Sequence, residues 1–144
     1  MKSIGVLLLS ATALLAGTSV SAQKITASPS ADYTLFVTEL QSGLQSPWGM
    51  AFLPDRRMLI TQKTGQLLIV SADGKSILAT LGNLPAVASQ GQGGLLDVAL
   101  DPDFAQNKFV YWSYAEPGTG REKGLSGTAV ARGRLQGESL QSIQ

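Results

Sequence analysis

The chain has 144 residues, of which 44% are hydrophobic and 15% charged, with 11 Lys and Arg against 10 Asp and Glu. This is ordinary globular composition, and a net charge of +1 offers no basic excess to favour nucleic acid as a partner. The sequence contains neither cysteine nor histidine, which excludes disulfides, a thiol nucleophile and a histidine base or metal ligand from these residues.

The first 22 residues have the pattern of a secretory signal peptide. Lys2 supplies a positive start, the run from Ile4 to Ala16 is apolar and uncharged, and Ala22 ends a stretch of small residues suited to signal peptidase. A membrane anchor is disfavoured because the run is shorter than the roughly 20 apolar residues that span a bilayer. We therefore expect cleavage, export to a bacterial periplasm or the exterior, and no membrane association of the mature chain.

Beyond the signal peptide the sequence predicts a polar linker over residues 23–32 and an all-β domain over residues 33–144. Short runs of β-branched and aromatic residues alternate with turn residues, and Asp73-Gly74 is a strong hairpin signal. No later segment has a convincing helical period. The predicted strands are Tyr33–Leu40, Trp48–Phe52, Met58–Gln62, Leu67–Val70, Ser76–Leu81, Leu95–Leu100, Phe109–Ala115 and Gly127–Leu135.

The strand pattern repeats once, at an offset of 48 residues. The segment Ala51–Asp55 (AFLPD) matches Ala99–Asp103 (ALDPD), which aligns Pro54 with Pro102. A period of roughly 40–50 residues with four strands is typical of a β-propeller blade, although two turns could share Pro-Asp by chance. A closed propeller needs on the order of 160–400 residues. We therefore expect about two blades here, in a piece of a longer protein or in an assembly of copies.

Several segments, in order, resemble the start of the soluble PQQ-dependent aldose and glucose dehydrogenases. The resemblance covers most of Leu44–Leu135, with Arg57 where a turn glycine is usual and Gln62 where an acid is common. The matching segments are Trp48–Asp55 (WGMAFLPD), Met58–Thr61 (MLIT), Gly91–Leu100 (GQGGLLDVAL), Asp101–Phe104 (DPDF), Tyr111–Ala115 (YWSYA) and Thr128–Arg132 (TAVAR).

This resemblance implies a six-bladed β-propeller, of which the chain holds about the first two blades. It also implies PQQ with calcium beside it, and oxidation of an aldose substrate at C1 to the lactone, with a histidine base and hydride transfer to the quinone. One functional residue is carried over, Gln92, which matches a glutamine that contacts PQQ in the family. The histidine and the calcium ligands lie later in family members, so no catalytic or metal-binding residue is assigned here, and we expect the chain alone to be inactive.

The chemistry of Gln92 suits such a contact. PQQ presents carboxylate and quinone oxygens, and a side-chain amide donates hydrogen bonds to such acceptors. The flanking Gly91, Gly93 and Gly94 allow close approach of the backbone. The alternative is a polar residue that caps the loop before a strand.

Other polar and aromatic residues have simpler interpretations. Asp101 and Asp103 lack the spacing of an EF-hand loop and are interpreted as turn residues. Asp97, inside a predicted strand near Gln92, is a weaker candidate for a polar role beside the cofactor. The aromatic residues are interpreted as blade packing rather than as a sugar-stacking platform. They are Trp48, Tyr111, Trp112 and Tyr114.

Two other functions stay open from the residues alone. One is a non-catalytic, exported β-repeat module that binds a sugar or a partner through its loops. The other is a different propeller enzyme, such as a lactone hydrolase with a calcium site. That enzyme needs clustered acid and Asn ligands, which the sequence does not show.

Overall fold

The computed structural model describes residues 23–25 and 35–144, in two units that divide after Glu39. In the first unit, β1 (Gln23–Ile25) pairs antiparallel with β2 (Leu35–Val37). The first three residues of the predicted linker over residues 23–32 thus form a strand, and the strand predicted over residues 33–40 is shorter than expected. The predicted signal peptide lies outside the described residues.

The second unit, Leu40–Gln144, begins with a four-stranded antiparallel sheet. Its strands follow chain order, and the predicted hairpin at Asp73-Gly74 is confirmed: the Gly74 N–H donates to the Ser71 carbonyl over 2.9 Å with φ +74. The strands are β3 (Pro47–Phe52), β4 (Met58–Gln62), β5 (Gln66–Val70) and β6 (Ile77–Leu81).

A second four-stranded antiparallel sheet follows, again in chain order. Its strands are β7 (Leu95–Leu100), β8 (Phe109–Pro117), β9 (Ser126–Gln136) and β10 (Ser139–Gln141). The prediction of no helix is wrong for one α-helical turn, α1 (Phe104–Asn107), and one 3₁₀ turn, Gly120–Glu122. Within the described ranges no helix has the length and apolar character needed to cross a membrane.

The repeat seen in the sequence is present in the backbone. The pairing of β3 with β4 shifts register between Pro47 and Met50, and the pairing of β7 with β8 shifts between Leu95 and Val98. Both shifts lie in the first strand of a sheet and are separated by the same 48 residues as Pro54 and Pro102. Two copies of one four-stranded unit account for this correspondence.

The two sheets bury an apolar core between them. Trp112, which is 1% exposed, is the largest fully buried side chain, and Tyr114 is also buried, which confirms both as packing residues. Trp48 differs from that expectation, since it is 52% exposed. The fully buried apolar side chains of this core are Leu59, Leu67, Ile69, Leu95 and Val110.

The first strands of the two sheets lie against each other. A Cβ placed on Gly49 of β3 would stand 3.0 Å from the Cα of Asp97 in β7. Only a residue without a side chain allows this approach. Two neighbouring four-stranded sheets of this kind are the arrangement of adjacent propeller blades.

Candidate functional site

Gln92 lies on an exposed turn in the loop that leads from β6 of the first sheet to β7 of the second. The Gly93 N–H donates to the Gln90 carbonyl over 2.8 Å and closes this turn. Gly91 has φ +53, a left-handed conformation that glycine adopts without strain. The turn presents the Gln92 side chain to solvent at the start of the second sheet.

The base of this loop is held by both sheets. On the second sheet, the Ala88 N–H donates to the Ala115 carbonyl and the Ala115 N–H donates to the Gly94 carbonyl, each over 2.8 Å. On the first sheet, the Leu95 N–H donates to the carbonyl of Lys63 over 3.1 Å. The loop therefore has a fixed base beneath its exposed tip.

Two of the loop glycines are required by this packing. A Cβ on Gly93 would collide with the Ala88 carbonyl oxygen, and a Cβ on Gly94, which has φ +138, would collide with the Lys63 carbonyl oxygen. Gly91 differs, because nothing lies within 4 Å of its Cβ position. The sequence suggested that the loop glycines allow the backbone to approach a ligand closely. Gly93 and Gly94 instead allow close approach of other backbone atoms of the protein itself.

The tip of the loop suits an anionic ligand with several acceptor oxygens. Gln92 offers an exposed amide with two N–H donors. Beside it, the Lys63 ammonium donates to the Gly91 carbonyl and brings a positive charge to the loop. PQQ carries carboxylates and quinone oxygens, so these residues fit that group.

Asp97 lies on β7, where its carboxylate has a structural partner. Its Oδ1 accepts the N–H of Val98 over 2.9 Å, and its own N–H donates to the Ser113 hydroxyl over 3.1 Å. These bonds fall within the register shift of β7 and replace ladder bonds that the shift removes. The structure therefore assigns Asp97 a part in shaping the strand.

Asp101 organises the turn between β7 and α1. Its Oδ1 accepts the Asp103 N–H over 2.9 Å and the Asn107 amide over 2.8 Å, and its Oδ2 accepts the Tyr111 hydroxyl over 3.1 Å. Hydrogen bonding from Asn107, followed by the Asp103 N–H, lowers the pKa of the Asp101 carboxyl below its ordinary value. The interpretation of Asp101 as a turn residue is confirmed. In the part of the chain that the structure describes, no three acids group into a metal site.

The assignment of Gln92 stays a prediction, and nothing in the sequence indicated Lys63 beside the same loop. Lys63 occupies the tight turn between β4 and β5 and is adjacent to the loop only because the two sheets pack together. Thr61, two residues earlier in β4, also reaches the second sheet, through a hydrogen bond to Leu96. Nothing local in the sequence MLITQKTG distinguishes these contacts from solvent exposure.

The described fold and sequence match known sugar dehydrogenases. Residues 44–144 match the Glucose / Sorbosone dehydrogenase family model. An aldose sugar dehydrogenase of Escherichia coli K12 is 50% identical over 103 residues, which cover 71% of this chain and 27% of that protein. The chain thus spans about a quarter of that relative's length.

Solved structures show the same architecture. A glucose dehydrogenase structure superposes with a TM-score of 0.66 at 44% identity, over 73% of this chain and 30% of that one. The PQQ-bound aldose sugar dehydrogenase of Streptomyces coelicolor superposes with a TM-score of 0.63 at 24% identity, over 88% of this chain and 34% of that one. The all-β prediction is confirmed, and the two sheets correspond to part of a propeller. The chain belongs to the glucose/sorbosone dehydrogenase family.

Proposed function

We propose that the protein containing this chain oxidises aldose sugars at C1 to lactones, with PQQ as hydride acceptor and calcium beside it. Family membership supports an aldose dehydrogenase, as does the name of the Escherichia coli relative. The PQQ-bound state of the Streptomyces structure supports the cofactor. Because the match covers 27% of that relative, the activity is proposed for the whole gene product.

The observation that carries the cofactor assignment is the exposed Gln92 amide on a loop fixed to both sheets. PQQ, when bound, supplies the quinone that takes up hydride. Gln92 binds and orients it by donating N–H groups to its oxygens. A preorganised donor loses little freedom on binding, so the rigid base of the loop favours affinity.

The remaining chemistry is proposed to reside in other parts of the whole protein. The sequence has no histidine, so the base that abstracts the sugar proton is not among these residues. Calcium requires six to eight oxygen ligands, and the described residues contain no group of three acids positioned to hold one. The part played by this chain is therefore to form one wall of the cofactor site.

Export is proposed from residues 1–22 and places the reaction in the periplasm or outside the cell. Sequencing of the mature N-terminus tests it. A first residue of Gln23 supports export, whereas Met1 retained on cytoplasmic protein contradicts it.

The function is tested on protein expressed from the complete coding sequence and reconstituted with PQQ and calcium. We expect aldose-dependent reduction of an artificial electron acceptor that requires added PQQ. Folded protein that binds no PQQ and reduces no acceptor with any aldose would contradict the proposal. The remaining alternative would then be a non-catalytic binding module.

A further inference from the structure

Lys63 is the first-sheet residue that holds the Gln92 loop. It lies in the turn between β4 and β5, which the Gly65 N–H closes by donating to the Gln62 carbonyl over 2.9 Å. The Lys63 N–H donates to the Ser46 carbonyl over 3.0 Å, which anchors the Lys63 backbone to the segment before β3. The residue therefore projects from a rigid support.

From this support Lys63 contacts the loop at two points. Its ammonium donates to the carbonyl of Gly91, next to Gln92 in the chain. Its own carbonyl accepts the N–H of Leu95 over 3.1 Å, where the loop enters β7. The side chain thus restrains the tip while the backbone restrains the base.

The fit between Lys63 and the loop is close. A Cβ added to Gly94 would lie 2.6 Å from the Lys63 Cγ, so the aliphatic stem packs directly on the glycine. The hydrogen bond from an ammonium group to a carbonyl is charge-assisted and stronger than a neutral one. The stem and the ammonium together select one position of the loop tip.

We propose that Lys63 is a positioning residue, which fixes the loop that carries Gln92 and so sets the affinity for PQQ. The part of this proposal that concerns the affinity for PQQ rests on the proposed function. Without the Lys63 ammonium, the tip between Gln90 and Gly93 loses its bond to the first sheet, and its own turn, closed by the Gly93 N–H on the Gln90 carbonyl, opens more often. The Gln92 amide then samples several positions, and binding must include the cost of ordering it.

The test uses the whole gene product with three variants. Lys63→Met keeps the aliphatic stem and removes the donor, and Lys63→Arg keeps a cationic donor. Lys75→Met is the matched control, because it removes the same charge from an exposed lysine in the turn between β5 and β6. Two quantities are measured: amide hydrogen exchange at Gly93 in the cofactor-free protein and the equilibrium dissociation constant for PQQ.

We expect Lys63→Met to speed exchange at Gly93 about tenfold, the effect of one lost hydrogen bond on a local opening equilibrium. The dissociation constant for PQQ should rise by a similar factor. Lys63→Arg should restore both quantities to near the original values, and Lys75→Met should change neither.

Unchanged exchange in Lys63→Met would overturn the positioning role. Faster exchange with unchanged PQQ affinity would overturn the link to the cofactor. Original protein that binds no PQQ at all would instead refute the proposed function, whereas the exchange measurement would still decide whether Lys63 holds the loop.

Discussion

The Thr61 hydroxyl donates a hydrogen bond to the carbonyl oxygen of Leu96 and so joins the first sheet to β7, the first strand of the second. The Thr61 hydroxyl oxygen in turn accepts the N–H of Gly49 over 2.8 Å. Thr61 is fully buried, so one hydroxyl satisfies backbone groups on both sides of the contact between blades. Buried polar groups are costly unless paired in this way.

Replacing this hydroxyl is predicted to destabilise the protein. Thr61→Val keeps the shape of the side chain but leaves the Leu96 carbonyl and the Gly49 N–H without their partner. An unsatisfied buried group costs about 1–3 kcal/mol, and we expect a loss in that range from the free energy of unfolding in urea. Thr80→Val, at an exposed β6 position, is the control and should stay within about 0.5 kcal/mol. Equal effects of the two substitutions would show that the Thr61 hydrogen bonds add no net stability.

A methyl group on Gly94 is predicted to displace the loop that carries Gln92. Gly94 has φ +138, and an added Cβ would meet the Lys63 backbone. Gly94→Ala should therefore lower the free energy of unfolding by about 1–3 kcal/mol through backbone strain alone, and hydrogen exchange should rise at Leu95. Gly82→Ala is the control, because nothing lies within 4 Å of its Cβ position. An unchanged free energy of unfolding in Gly94→Ala would contradict the close packing of the loop on Lys63.

The Asp101 turn is predicted to make stability depend on acid pH. Hydrogen bonds, that from Asn107 above all, hold the pKa of Asp101 below its ordinary value of 3.8. A carboxyl whose pKa is depressed on folding stabilises the protein above its unfolded pKa and loses that contribution as pH falls through the folded value. The stability difference between the original protein and Asp101→Asn should thus be constant above about pH 5 and shrink below about pH 4.

Urea unfolding at a series of pH values from below about 4 to above about 5 measures this effect. Asp103→Asn is the matched control, since Asp103 is exposed and its side chain makes no capping hydrogen bond to α1. A difference between Asp101→Asn and the original protein that does not vary with pH would contradict the assigned role.

The strands of both blades were predictable because each is a local pattern. Met58–Gln62 and Leu95–Leu100 have the same bounds in sequence and structure, as expected for β-branched and aliphatic runs between strong turn signals. Asp73-Gly74 fixes its hairpin through the same local chemistry. The recurrence of Pro-Asp after the first strand of each blade adds a period, and that period predicts the architecture.

The elements that were missed lack such patterns. Ser139–Gln141 and Gln23–Ile25 are three-residue strands of mostly polar composition, and they are defined by pairing with a neighbour. The helix Phe104–Asn107 is one turn long, which is too short to show a helical period. Tertiary pairing decides the conformation of such short segments.

The candidate site likewise contains one residue that was predicted from the sequence and one that only the structure reveals. Gln92 was assigned to the cofactor through the family resemblance of the GQGGLL segment, and that assignment stays a prediction. Lys63 was missed because its contact with Gly91 spans 28 residues and depends on how two sheets pack. Long-range contacts of flexible side chains leave no local signature in a single sequence.

In the proposed function, this chain forms one wall of a PQQ site through Gln92. The most direct test compares PQQ binding by the whole gene product with that of Gln92→Ala and Gln90→Ala. Gln90 is an exposed glutamine in the same turn, so the control matches both residue type and location.

We expect Gln92→Ala to raise the dissociation constant for PQQ about tenfold or more, because a hydrogen bond to a charged group contributes about 1.5–3 kcal/mol. Gln90→Ala should bind within about twofold of the original protein, as expected for a surface substitution. Equal PQQ affinity in all three proteins would contradict the assignment of Gln92 to the cofactor site.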